Sequence, residues 1–327
     1  MLDSQLRRGA CNAMGLKCLL AAVLLLSLAP VAGAQDAAGD PEAVIAEELV
    51  VQARVPGPAW WKATDADSTV WILGAPAALP KGVAWDTRPL QLRLEEANTL
   101  LTPVTGKIST IRAVTFFLGN QNAMRGEGPL EERLSPELRA RFVAARTAAG
   151  KPASRYERWR PGMAAMLLST DFYDGLDMQA DEPFDTLKRS ARRARVRVKA
   201  GLEYDMNPVL REFVALDEAA QLVCLEDAVR LVEAGQAGAR GAAQGWARGD
   251  IGRALAAERG FDHCLGAMPT MVSATRRALN DTTAMMTEAL RQPGVSVIVV
   301  GMRSLLARDG VVTRLRAAGV EVRTPEE

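Results

Sequence analysis

Histidine is almost missing from this chain: His263 is the only one in 327 residues. A zinc centre built on two or more imidazoles is therefore excluded within one chain, and any metal would have to rely on carboxylate or cysteine ligands. Excess charge of one sign is missing too. Forty basic residues face 39 acidic ones, a net charge of +1, which gives no reason to expect nucleic acid or an acidic membrane as partner. Long apolar runs are absent. The most apolar stretch, residues 19–31, is well short of the ~20 residues that a spanning helix needs. No nucleophile elbow, P-loop or dinucleotide-binding glycine pattern occurs. What remains is ordinary globular composition, 48% hydrophobic, at a length suited to one large domain or two small ones.

The apolar stretch near the start follows Arg7, Arg8 and Lys17 and precedes Ala32-Gly33-Ala34. A positive leader, a short apolar core and an A-x-A site make a secretory signal peptide over residues 1–34, with Met1 or Met14 as its start. The expected location is outside the cytoplasm, periplasmic or extracellular, with no membrane span after cleavage. Residues 35–59 read as a flexible arm or linker, with a possible added strand over residues 48–53, and the domain proper as residues 60–327. Of the four cysteines, Cys11 and Cys18 leave with the leader. Cys224 and Cys264 remain, either as a disulfide, which an exported chain favours, or as two buried thiols.

Two stretches carry the fold. Residues 295–300 are Val-Ser-Val-Ile-Val-Val and stop at Gly301. A short, nearly continuous β-branched run reads as a strand buried on both faces, as in the middle of a parallel sheet. Asp309-Gly310 then opens a helix with Val311, Val312, Leu315 and Ala318 on one face. Gly319 suits its end, and Val320-Glu321-Val322 a closing strand parallel to the first. The same order occurs earlier: a strand over residues 69–73 ending at Gly74, a loop, a helix over 87–97 with Leu90 and Leu94 inward, and a strand over 99–104. In open α/β sheets, ligands gather beyond the carboxyl ends of such strands. Two units of this kind can set the loops after Gly74 and Gly301 side by side on one sheet edge.

Between them the reading is mainly helical. Helices are expected over 136–149, 161–168, 185–194, 207–234 and 271–290, a strand over 195–199, and a glycine- and alanine-rich loop over 235–249. The densest cationic run, Lys188 to Lys199, reads as a solvated helix face and strand edge. The methionines at 268, 271, 285 and 286 read as core filling.

The two glycine-ended units resemble the paired signature of the TraB/GumN family, which includes membrane proteases of animals. The first signature is a strand ending in Gly-x-x-His, with Leu-Pro and a tryptophan after it; here it is Gly74-Ala75-Pro76-Ala77, Leu79-Pro80 and Trp85. The second is another Gly-x-x-His followed by a glycine and Leu-x-x-x-Gly; here it is Gly301-Met302-Arg303-Ser304, Gly310, Leu315 and Gly319. Residues 156–161, Gly201-Leu202-Glu203 and Trp246-Ala247-Arg248-Gly249-Asp250 resemble family segments between the two. The resemblance implies a divalent metal in a peptidase-like site. The departures fall on the ligands. Ala77 and Ser304 stand where the family has histidines, and Leu101-Thr102-Pro103 where a strand usually ends in glutamate.

The expected architecture is α/β (α+β): a mixed central sheet with N- and C-terminal strand–loop–helix–strand units and a large helical insertion. The expected role is that of an exported, non-catalytic binding or assembly factor of the cell envelope, with no cofactor. Its partner would be a small molecule, a peptide or an envelope component, and not nucleic acid. The alternative is a divergent metal-dependent hydrolase with a remodelled site. Candidate catalytic residues for that alternative are Glu203, Ser304 and His263; candidate ligand-binding residues are Gly74, Ala77, Gly301 and Arg303.

Overall fold

The computed structural model describes residues 57–180, 182–256 and 261–325, all within one compact unit spanning residues 40–327. The leader and nearly all of the arm lie outside the described residues; of the arm, only 57–59 are described, and these are buried.

Six strands form the main sheet. β1 is Trp60–Thr64, β2 Ser68–Ala75, β4 Thr99–Leu101, β7 Arg197–Lys199, β9 Gly294–Gly301 and β10 Glu321–Arg323, in the order β10-β1-β2-β9-β4-β7. β2, β9, β4 and β7 run parallel, while β1 is antiparallel to both of its neighbours, β2 and β10. The sheet is therefore mixed, and each end unit supplies two strands of one direction. Two short pairs stand apart: β3 (Ala78–Pro80) with β6 (Met178–Ala180), and β5 (Thr105–Lys107) with β8 (Glu203–Asp205).

The composition of β2 and β9 accounts for their central place. Val70, Ile72, Leu73, Val297 and Ile298 are fully buried. Strands covered on both faces need such side chains, because their backbone groups pair only with neighbouring strands. The helix Arg88–Glu96 lays Leu90 and Leu94 against this core, and the helix Val311–Ala317 adds Val311, Val312 and Leu315. Gly319, at φ +82°, ends the second helix in a conformation that glycine adopts without penalty.

A second core lies in the helical insertion. It is built by the helices Pro136–Ala148, Pro161–Gly175 and Glu218–Ala247, with Phe142, Tyr156, Leu168, Leu225 and Val229 buried between them. Cys224 and Cys264 are joined by a disulfide that ties the long helix to the short one at Asp262–Gly266. Among the described residues no helix is long and apolar enough to cross a membrane.

Several local expectations need correction. The stretch 235–249 is not a loop. The helix Glu218–Ala247 runs through it, bent only at Gly235, where φ is +71°. Its alanines favour the helix, and two of its glycines face a close neighbour: a Cβ on Gly241 would lie 3.3 Å from Arg253 and one on Gly245 2.8 Å from it. The stretch 207–234 is two helices, broken before Asp217, whose side chain accepts the amide hydrogen of Ala220 and caps the second. The helix from Pro161 continues to Gly175, and the strand expected over 99–104 is only three residues long. The cationic run is exposed along β7, in line with a solvated edge.

Asp171 anchors the second core. It is 2% exposed and accepts hydrogen bonds from Arg155 (2.9 Å) and from the Tyr156 hydroxyl (2.8 Å). Burial by itself would raise its pKa. The hydrogen bonds from Arg155 and Tyr156, with the charges of Arg155 and Lys151, outweigh burial and hold the carboxyl below its usual range. A carboxyl with a depressed folded pKa adds stability above its unfolded value, about 3.9, and loses it as pH falls through the folded one. Asp171→Asn should therefore cost about 2 kcal/mol at pH 7. The gap in Tm between wild type and variant should close as acid is added below about pH 4, measured by thermal unfolding followed by circular dichroism.

Candidate functional site

The site is set by register. In the β2–β9 pair Gly74 stands opposite Val300 and Ala75 opposite Gly301, so both strands stop together. β4 joins β9 with Leu101 opposite Ile298, and β7 joins β4 with Lys199 opposite Leu101. Four carboxyl ends thus gather on one edge, and the loops after Gly74 and Gly301 leave it as neighbours.

Gly74 is where the edge is tightest. A Cβ there would lie 2.7 Å from the ring of Trp61 and 3.3 Å from Leu305. Only a residue without a side chain lets the strand end lie flush on that buried indole. The Gly74 carbonyl accepts a 2.7 Å hydrogen bond from the indole Nε1 of Trp246, and Trp246 packs edge-on against Trp85 at 5.3 Å. The loop is thereby fixed from below by Trp61 and from the helical insertion by Trp246. Gly301 is different: it is exposed, and a Cβ would meet nothing within 4 Å.

Beyond Gly301 the short helix Met302–Leu306 buries Met302, Leu305 and Leu306 and leaves Arg303 and Ser304 half-buried. Arg303 forms an ion pair with Asp262 of the helical insertion. Ala77 is exposed in the loop between β2 and β3. At the end of β4, the Thr102 hydroxyl accepts the amide hydrogen of Gly201 at 2.9 Å, which stitches the β4 end to the chain leaving β7. Two residues on, Glu203 opens β8 and pairs with Lys107 at 2.9 Å, both side chains more than half exposed.

His263 is held within the insertion. Its Nδ1 lies 2.9 Å from Asp227 Oδ1, and buried Asp227 also accepts from Arg230 (2.9 Å) and from the Cys264 amide (2.8 Å). The structure thus brings the loops at Gly74 and Gly301 together, and places Asp262, next to His263 in the chain, against Arg303. Glu203 leaves the same edge but is turned to Lys107. The roles of Trp246 and Trp85 were not read from the sequence. Both stand in segments that resemble the family, but nothing in their spacing tells that one indole bonds the Gly74 carbonyl.

An α/β protein whose first and last units bring two glycine-ended strands to one edge, with a helical insertion leaning on the first, defines the class. The chain belongs to the TraB/PrgY/gumN family, whose model matches residues 59–324. No curated protein and no solved structure matches it.

The divalent metal that this kinship implies can be weighed against the donors present. The two histidine positions of the signature hold a methyl group at Ala77 and a single hydroxyl at Ser304, and Leu101-Thr102-Pro103 offers no carboxylate. Alanine has no donor, and a lone hydroxyl is a poor ligand for a transition metal. Among the described residues no group of three or more His, Cys, Asp or Glu stands close enough to hold an ion. The residues at this edge do not fit a metal.

The two glycines should respond oppositely to one added methyl. Gly74→Ala should lose about 1–3 kcal/mol, since Trp61 and Leu305 must move. Gly301→Ala should stay within about 0.5 kcal/mol of wild type. Urea denaturation of the two variants makes the comparison.

Proposed function

We propose that this chain is an exported binding or assembly factor of the cell envelope that keeps the family scaffold without metal-dependent catalysis. One observation carries the reading. At the edge where the two signatures converge, the metal-binding groups are replaced or engaged: Ala77 offers a methyl, Ser304 a single hydroxyl, the Glu203 carboxylate is paired with Lys107, and Arg303 is paired with Asp262. The lone histidine supports the same reading, because its Nδ1 is bound to a buried aspartate that also holds the Cys264 amide. Export rests on the leader pattern of residues 1–34, and the partner is expected to be a small molecule, a peptide or an envelope component.

Elemental analysis of the purified, secreted protein, with a peptide-hydrolysis assay in zinc and in manganese, tests the reading. The expected result is less than stoichiometric metal and no turnover above the buffer rate. Stoichiometric zinc or manganese, lost together with turnover in Glu203→Ala, would establish the divergent hydrolase instead.

A further inference from the structure

A cleft of about 790 Å³ lies between the segment that follows β3 and the second half of the helix Glu218–Ala247. Ala77, Glu203, Arg303 and Ser304 are not among its lining residues. Pro80, Val83, Trp85, Leu176 and Ala247 give it apolar walls. Its charges do not balance. Lys81 is paired with Asp177 at 3.7 Å, and Asp86 with Arg88 at 2.9 Å. That leaves Arg240, on the lining helix, and Arg248, at its C-cap; both are exposed, and neither side chain is engaged with another described residue.

The two arginines are eight positions apart, Arg248 just past the last helical residue, which is about 12 Å along the axis and ~80° around it, with Gln244 midway between them. An extended peptide advances about 3.4 Å per residue and turns alternate side chains to one face. Residues i and i+4 of such a strand are then about 13.6 Å apart on the same face, with i+2 between them. Carboxylates at i and i+4 would meet the two guanidinium groups, an apolar side chain at i+2 would rest on the Trp85 and Pro80 wall, and Gln244 could bond the strand's backbone. Arginine suits this role, since its planar fork matches a carboxylate at two points.

We infer that this cleft binds an extended acidic peptide whose face reads acid, apolar, acid at alternate positions, with Arg240 and Arg248 as its two anchors. The site shares no anchor with the crevice, so the inference stands or falls independently of whether any catalysis survives there.

The test is calorimetric titration of the full chain with the blocked pentapeptide Glu-Ser-Leu-Ser-Glu. Expected is saturable one-to-one binding that weakens with added salt. Arg240→Gln and Arg248→Gln should each weaken it about tenfold or more, and the peptide Gln-Ser-Leu-Ser-Gln should lose it. Both arginines are exposed, so the variants should keep the wild-type Tm; the Tm is recorded alongside. No saturable heat at millimolar peptide would overturn the inference. So would equal affinity for the glutamine peptide, or unchanged affinity when both arginines are replaced. Dependence on only one arginine would refute the two-point register.

Discussion

The structure depends on the pairing of β2 with β9. These strands come from opposite ends of the chain, yet they run parallel over eight residues from Ser68↔Gly294 to Ala75↔Gly301. Parallel pairing in the middle of a sheet is tolerated only when both faces are covered, and the fully buried Val70, Ile72, Leu73, Val297 and Ile298 meet that condition. A slip of β9 by one residue would turn Val297 and Ile298 to the opposite faces and offset the two strand ends by about 3.3 Å. Everything said about the edge, from the seat of Gly74 on Trp61 to the convergence of the two loops, follows from this register.

Much of this was legible in the sequence because buried strands constrain composition so strongly. A run such as Val297-Ile298-Val299-Val300 stopped by glycine has few other homes, and Leu90 and Leu94 mark a helix face by spacing alone. β1 was harder to read. Trp60-Trp61-Lys62-Ala63-Thr64 reads as neither an apolar run nor a clean alternation. Its outer face is covered by cations lying on rings, Lys62 over Trp71 and Arg93 between Trp60 and Trp71. The helix through residues 236–247 was hidden by its glycines. Gly241 and Gly245 make room for Arg253 beside the helix, whereas glycine content alone points to a loop.

The candidate site was legible as a place but not as a set of partners. Composition and order put the loops after Gly74 and Gly301 on one edge. No spacing could reveal that Arg303 meets Asp262, that Glu203 is held by Lys107, or that Trp246 bonds the carbonyl of Gly74. Those contacts join positions far apart in the chain and depend on how the insertion packs. Trp61, Trp246 and the sheet register hold the edge in shape, and none of them needs a metal.

The central claim is that the edge keeps its geometry and lacks only its donors. The most direct measurement is calorimetric zinc titration of the parent chain against the double variant Ala77→His, Ser304→His. The account predicts no stoichiometric binding to the parent and a new one-to-one site in the variant. Equally tight zinc binding by the parent, or a folded double variant that gains none, would contradict it.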